Sequence, residues 1–223
     1  IRKSFRHRRM GKRMKELYQA SDSPHYVFKY PNQSFVGETP FTYQKNFLNK
    51  KKLKLIEKLS KTLSYEPAQV GGGLDGRIEK KKRNGKIGWI NYNMDTKWLF
   101  DKIFGVAYQN IWGLDVTGIH DSIQYTIYPA ENEEQYYHSH RDGGPGTWWR
   151  KVSMTIQLSE PDEFEGGGLQ IEDQGGDGTW LDAPHEDRGD MIMFPSFMRH
   201  QALPVTKGTR KCLVIWISGP PLR

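Results

Sequence analysis

Tyr136-Tyr137-His138-Ser139-His140-Arg141-Asp142 is the stretch on which the fold and chemistry of this chain turn. Its residues favour an extended strand, and on a strand positions i and i+2 share one face. His140 and Asp142 are then expected to converge on one point while Arg141 points away. His138 has the same parity but no partner set of its own. Further along the chain stand His200 and, beyond it, Arg210. Two histidines and one carboxylate are what a mononuclear non-haem Fe(II) centre needs, because three ligands on one face leave positions open for substrate and oxygen. An arginine adds a permanently charged planar fork for a carboxylate. Together they couple a metal to an anionic cosubstrate.

The surroundings of this stretch read as strands. Upstream, Ser122-Ile123-Gln124-Tyr125-Thr126-Ile127-Tyr128 places apolar or aromatic residues at alternate positions, a half-buried pattern. Downstream, residues 151–158, 168–172, 190–195 and 210–217 form four further short runs separated by Gly- and Pro-rich turns, which indicates a sandwich or barrel. His200 falls just after the third of these runs and Arg210 opens the fourth. A second candidate pair, His185 with Asp187, sits where Pro, Gly and acids crowd together. That composition marks a solvated turn rather than a ligand-bearing strand.

These segments resemble the Fe(II)/2-oxoglutarate dioxygenase superfamily, and more narrowly its prolyl-4-hydroxylase-like branch with the PKHD-type hydroxylases. The resemblance is carried by Tyr136–Asp142, by Ile156-Gln157-Leu158-Ser159 running on to Glu165-Gly166-Gly167-Gly168-Leu169, by Phe194-Pro195-Ser196 leading to His200, and by Leu203–Arg210 closed by Trp216-Ile217. It implies a mainly β fold, a double-stranded β-helix (jelly-roll) core braced by N-terminal α-helices. It implies that His140, Asp142 and His200 bind Fe(II), and that Arg210 pairs with the far carboxylate of 2-oxoglutarate. Tyr128 is the nearest match to a strand tyrosine that helps hold that carboxylate. Gln157 stands where some relatives carry a tyrosine. The activity implied is hydroxylation of an unactivated C–H bond, with a peptidyl proline as the expected target and O2 and ascorbate as accessories. Tyr136, Trp148 and Trp149 are expected to wall the substrate groove, with Gly143–Gly146 as a lid.

The 223 residues carry seven more positive than negative formal charges, and 36% of them are hydrophobic. One sizeable domain fits this length. No apolar run approaches the ~20 residues of a membrane span, so a membrane partner is not expected. The single cysteine, Cys212, rules out an internal disulfide framework and favours a reducing, cytoplasmic setting. It lies in an apolar run and reads as core. Positive charge gathers at the start, from Arg2 to Lys15, and again at Lys50–Lys54 and Lys80–Arg83. The organisation expected is a basic arm over residues 1–35 and a dioxygenase domain over 36–223, with helical support at 36–120 and the jelly-roll core at 121–223. Helices are expected at about Gln44–Lys61 and Asp95–Asn110.

A peptide or protein substrate is the first expectation for a partner. The basic arm keeps nucleic acid open, because clustered cations attract polyanions. Three rival readings follow: a dioxygenase that demethylates nucleic acid, a non-catalytic jelly-roll binding module, and a zinc hydrolase on the same three ligands. The apolar run after Lys211 counts against the first, the intact ligand set against the second, and Arg210 against the third, which leaves it without a purpose.

Overall fold

The computed structural model describes residues 39–68, 85–130, 135–173, 178–184 and 187–220. The basic arm, the boundary at residue 35, the Lys80 run, and His185 with Glu186 lie outside these residues, as does the side chain of Tyr136.

In chain order the elements are β1 (Thr42–Gln44), α1 (Lys50–Ser60), β2 (Glu66–Pro67), β3 (Lys86–Ile90), α2 (Lys97–Ala107), β4 (Ile123–Pro129) and β5 (Gln135–His140). There follow β6 (Arg150–Gln157), β7 (Phe164–Gly166), β8 (Leu169–Glu172), β9 (Trp180–Ala183), β10 (Met191–Pro195) and β11 (His200–Ser218). The main sheet runs β1-β10-β6-β11-β4-β3-β2, and every pairing in it is antiparallel. A smaller sheet gathers β5, β7 and β8 on the first half of β11, with β9 beyond β8. Among the described residues this is the double-stranded β-helix, mainly β, with two helices laid against it.

The helices are shorter than the sequence pattern predicts. Gln44 ends a strand paired with Met191, and Asn46 then takes a left-handed φ of 49°. That turn breaks the chain direction before α1 begins. Asn49 caps the helix by accepting from the Lys52 amide at 3.0 Å, which satisfies an orphan donor of the first turn. Leu53 and Ile56 are its buried residues; Phe47 is buried ahead of the helix and Leu63 packs beyond it. In α2 the buried face is Leu99, Phe100, Ile103 and Ala107, while Tyr108 is exposed at 69%. The region expected to be helical support also supplies β1 and β3 to the main sheet.

Alternation along the three central strands sorts the core from the site. Ile123 and Tyr125 of β4, Val152, Met154 and Ile156 of β6, and Leu213, Ile215 and Ile217 of β11 pack on α1 and α2. Each fully buried aliphatic side chain contributes about 1.5–3 kcal/mol. The alternate residues turn to the other face: Gln124, Thr126 and Tyr128; Ser153, Thr155 and Gln157; Arg210, Cys212, Val214 and Trp216. Cys212 is buried, as expected, in a small apolar cluster with Tyr128 and Val205 on this inner face.

The largest departure from the sequence reading is β11. His200 and Arg210 were expected on separate segments, yet one strand of 19 residues carries both. Pro204 and Gly208 look like turn residues, but the strand passes through them because it changes partners there. Its first half pairs with β5, β7 and β8, and its second half with β4 and β6. Gly208 sits at φ 72°, and a Cβ there would stand 2.0 Å from the Glu163 carbonyl oxygen, so only glycine fits.

Candidate active site

His140 closes β5 and His200 opens β11, and the two lie directly opposite in register. Asp142, just past the end of β5, is held by its own amide and that of Gly143, both donating to the Ser196 carbonyl at 3.0 and 2.8 Å. His140 Nε2 lies 3.5 Å from Asp142 Oδ1, and His200 Nε2 lies 3.5 Å from Asp142 Oδ2. All three ligand atoms fall within 4.8 Å of one another, and no other group of three among the described residues does this. Asp187 stands elsewhere, on a surface groove beside Lys45 and Arg188.

The partners that orient these ligands are visible. His140 Nδ1 contacts the His138 carbonyl at 2.7 Å, and His200 Nδ1 contacts the Met198 carbonyl at 3.1 Å. A carbonyl can only accept, so each Nδ1 carries the proton and each Nε2 presents its lone pair to the ligand cluster. Ser153 Oγ donates to Asp142 Oδ2 at 2.7 Å and meets Ser196 Oγ at 2.9 Å. Burial pushes the Asp142 carboxyl up, but the neighbouring imidazoles and Ser153 outweigh it and hold the group well below the usual carboxylate range. Burial likewise lowers His200, to about 4, so its ring is neutral at ordinary pH. An anionic carboxylate between two imidazoles whose Nε2 atoms face it is a donor set that fits a divalent cation such as Fe(II).

Simple parity does not describe β5. His140 pairs with His200 but Tyr137 pairs with Ala202, so three steps on β5 match two on β11. This bulge turns Tyr137 to the same side as His140, where their rings stack at 3.5 Å and 25°. It also leaves His138 exposed rather than beside His140 as the alternation predicted. Tyr137 lines the cavity and was missed; a bulge has no residue signature in this stretch.

Arg210 is 3% exposed, lines the same cavity, and stands opposite Tyr128 with its guanidinium carbon 5.9 Å from that ring. Its Nε has no hydrogen-bond partner, and no carboxylate among the described residues pairs with it. Gly167, at φ 68°, lies over it: a Cβ there would approach Arg210 Cδ to 2.9 Å. Gln157, 1% exposed and on the inner face, has neither amide atom paired. A buried charge without a counter-ion costs several kcal/mol. The cavity therefore fits an anionic ligand at the Arg210 end.

Trp148 and Trp149, expected as substrate walls, pack edge-to-face on each other at 5.7 Å and do not line the cavity; Trp148 is half exposed. Its aromatic walls are Tyr137, Phe194, Trp216 and Tyr128. The Gly143–Gly146 segment is a short turn pinned at both ends, by Gly143 on Ser196 and by Thr147 Oγ1 donating to the Asp142 carbonyl at 2.5 Å.

Comparison with known proteins agrees with this geometry. The model of the 2OG-Fe(II) oxygenase superfamily matches residues 123–218. A PKHD-type hydroxylase of Idiomarina loihiensis is 38% identical over 86 residues, which cover 38% of this chain and 38% of that protein. A PKHD-type hydroxylase of Saccharophagus degradans is 46% identical over 68 residues, covering 30% of this chain and 28% of the relative. The chain thus spans well under half the length of these curated relatives. Among solved structures, a Pseudomonas putida prolyl-4-hydroxylase aligns with a TM-score of 0.59 at 20% identity, over 81% of this chain and 93% of the other. A prolyl hydroxylase from Trichoplax adhaerens, in complex with a hypoxia inducible factor peptide fragment, aligns at 0.65 and 18% identity over 81% and 84%. At these identities the structural likeness is one of fold.

Proposed function

We propose a function from one premise: residues 123–218 of this chain belong to the 2OG-Fe(II) oxygenase superfamily, in its PKHD-type branch. The chain is an Fe(II)- and 2-oxoglutarate-dependent hydroxylase. His140, Asp142 and His200 hold the metal. Arg210, with Tyr128 and Gln157 beside it, holds the far carboxylate of the cosubstrate. When bound, Fe(II) with 2-oxoglutarate and O2 supplies the oxidising power for an unactivated C–H bond, with ascorbate sustaining the reduced metal.

The chain's own residues do three things. The carbonyls of His138 and Met198 keep Nδ1 protonated and both Nε2 lone pairs aimed at one point. Ser153 holds Asp142 in place and in its anionic form. Arg210 orients a dicarboxylate by a two-pronged, charge-assisted pair in a water-poor cavity. The observation that carries the reading is the buried, uncompensated Arg210 on the wall of the cavity into which the three ligand atoms converge.

The substrate proposed is a peptidyl proline. The prolyl hydroxylases among the structural neighbours support it, one of them bound to a peptide, together with the aromatic cavity walls. A proline-containing strand is a rigid ligand suited to such walls. The test incubates the protein with Fe(II), 2-oxoglutarate and ascorbate against proline-rich peptides and methylated oligonucleotides in parallel. A gain of one oxygen on a prolyl residue is the expected result. Demethylation of the oligonucleotide without peptide oxidation would replace the prolyl substrate with nucleic acid.

A further inference from the structure

Arg210 and Cys212 stand two residues apart on β11, and both line the cavity into which the metal ligands converge. Positions i and i+2 of a strand share a face, about 7 Å apart along the backbone. Cys212 is the single cysteine of the chain, 2% exposed and unbridged. Neither the metal site nor the grip on the cosubstrate uses its thiol. It packs in a small apolar cluster with Tyr128 and Val205, a place that another small hydrophobic residue could fill. What sets a thiol apart from such a residue is its reactivity.

Two neighbours point to a ligand beside it. Arg210 is 3% exposed, and its Nε has no hydrogen-bond partner. That end of the cavity therefore draws in a carboxylate and holds it by a charge-assisted pair. Gln157 lies directly opposite Cys212 in register, 1% exposed, with neither amide atom paired. Its amide offers N–H donors to a second acidic group. A ligand anchored in this way meets the thiol in one orientation, and holding two reactants together raises their effective concentration far above that of free solution.

We propose that Cys212 is a modification site for short α,β-unsaturated dicarboxylic acids, with Arg210 as the anchor that delivers them. One carboxylate pairs with Arg210, and the thiol adds to the alkene. Cys212 gives its proton to water, and a sulfur lone pair forms a C–S bond to one alkene carbon. The π pair moves to the neighbouring carbon, which takes a proton from water. No oxidant or metal takes part. A dicarboxylate fits because its second acid group withdraws electrons from the alkene and meets Gln157. The thioether fills the cosubstrate position and blocks it. The inference rests on the anion-binding cavity of the hydroxylase reading and goes beyond it, since it assigns a covalent site that needs no turnover.

The test incubates the whole chain, loaded with Mn(II) and without oxygen, with fumarate, and follows intact mass and the peptide that carries Cys212. A mass gain of one fumarate on Cys212 is expected, and the modified chain should still bind Mn(II) but not 2-oxoglutarate. In Arg210→Ala the adduct should form at least about tenfold more slowly, whereas the uncharged dimethyl ester should modify both chains at similar rates. Unfolding the parent in urea, which parts the thiol from its anchor, should slow the reaction with fumarate and speed that with the ester. Excess 2-oxoglutarate should protect the folded parent. An adduct that depends on Arg210 but forms at the same rate in 2-oxoglutarate supports this inference and removes 2-oxoglutarate from the site. Equal fumarate rates in the parent and in Arg210→Ala overturn it, as does a folded parent that gains no fumarate at Cys212.

Discussion

The two faces of the main sheet are built from the same three strands and have opposite chemistry. On the helix side β6 presents Val152, Met154 and Ile156; on the cavity side it presents Ser153, Thr155 and Gln157. β11 does the same, with Leu213, Ile215 and Ile217 against the helices and Arg210, Cys212, Val214 and Trp216 towards the cavity. Both faces are buried, so exposure does not tell them apart. Polar satisfaction does: Val152, Met154, Ile156, Leu213, Ile215 and Ile217 carry no side-chain N or O, whereas the inner face leaves Arg210, Gln157 and Trp216 with unpaired buried atoms. One face lowers the free energy of folding and the other raises it in return for a ligand cavity. A buried polar atom is tolerated only where something recovers its cost.

The contrast predicts where substitutions act. The largest effect belongs to Asp142→Ala, which removes the carboxylate between two imidazoles and should abolish metal binding, read by calorimetric titration of Mn(II). Retained stoichiometric binding would show that another donor set holds the metal. Next, Leu213→Ala on the outer face should lower unfolding free energy by about 2–5 kcal/mol in chemical denaturation. Its metal and 2-oxoglutarate affinities in the folded chain should stay unchanged. A selective loss of cosubstrate affinity there would collapse the division between the faces. Ser153→Ala, on the inner face, should leave stability close to that of the parent but weaken metal binding on the order of 10–100-fold, because it frees the carboxylate. The smallest effect is expected at Trp148→Ala, a half-exposed residue outside the cavity, within about 0.5 kcal/mol in stability and with cosubstrate affinity unaltered.

How much of this was legible in the sequence follows from what each feature depends on. The clustering of His140, Asp142 and His200 was legible because metal-binding chemistry is carried by residue identity, which these residues and Arg210 keep in any fold. The strand at 122–128 was legible because its alternation is local. Tyr137 was not, since its facing depends on a bulge that exists only in the pairing with Ala202. The continuity of β11 was hidden because Pro204 and Gly208 carry turn signals, which the exchange of partner strands overrides. The start of α1 was misplaced for a related reason: Thr42–Gln44 is captured as a strand by Met191–Met193, with Thr42 and Met193 lying 151 residues apart in the chain. The two tryptophans after the ligand pair suggested a wall by their chemistry, while the walls in fact come from residues far apart in the chain, Tyr128, Tyr137, Phe194 and Trp216.

The central claim is that the unpaired inner face exists to receive a dicarboxylate at Arg210. It is tested most directly by titrating 2-oxoglutarate and 2-oxopentanoate, which lacks the far carboxylate, into the Mn(II)-loaded chain without oxygen. The parent should prefer 2-oxoglutarate by at least about thirtyfold, the lower end of what a buried charge pair is worth on truncation. In Arg210→Ala that preference should vanish while Mn(II) affinity holds. Equal affinity for the two acids in the parent, or a preference that survives in Arg210→Ala, would contradict the account.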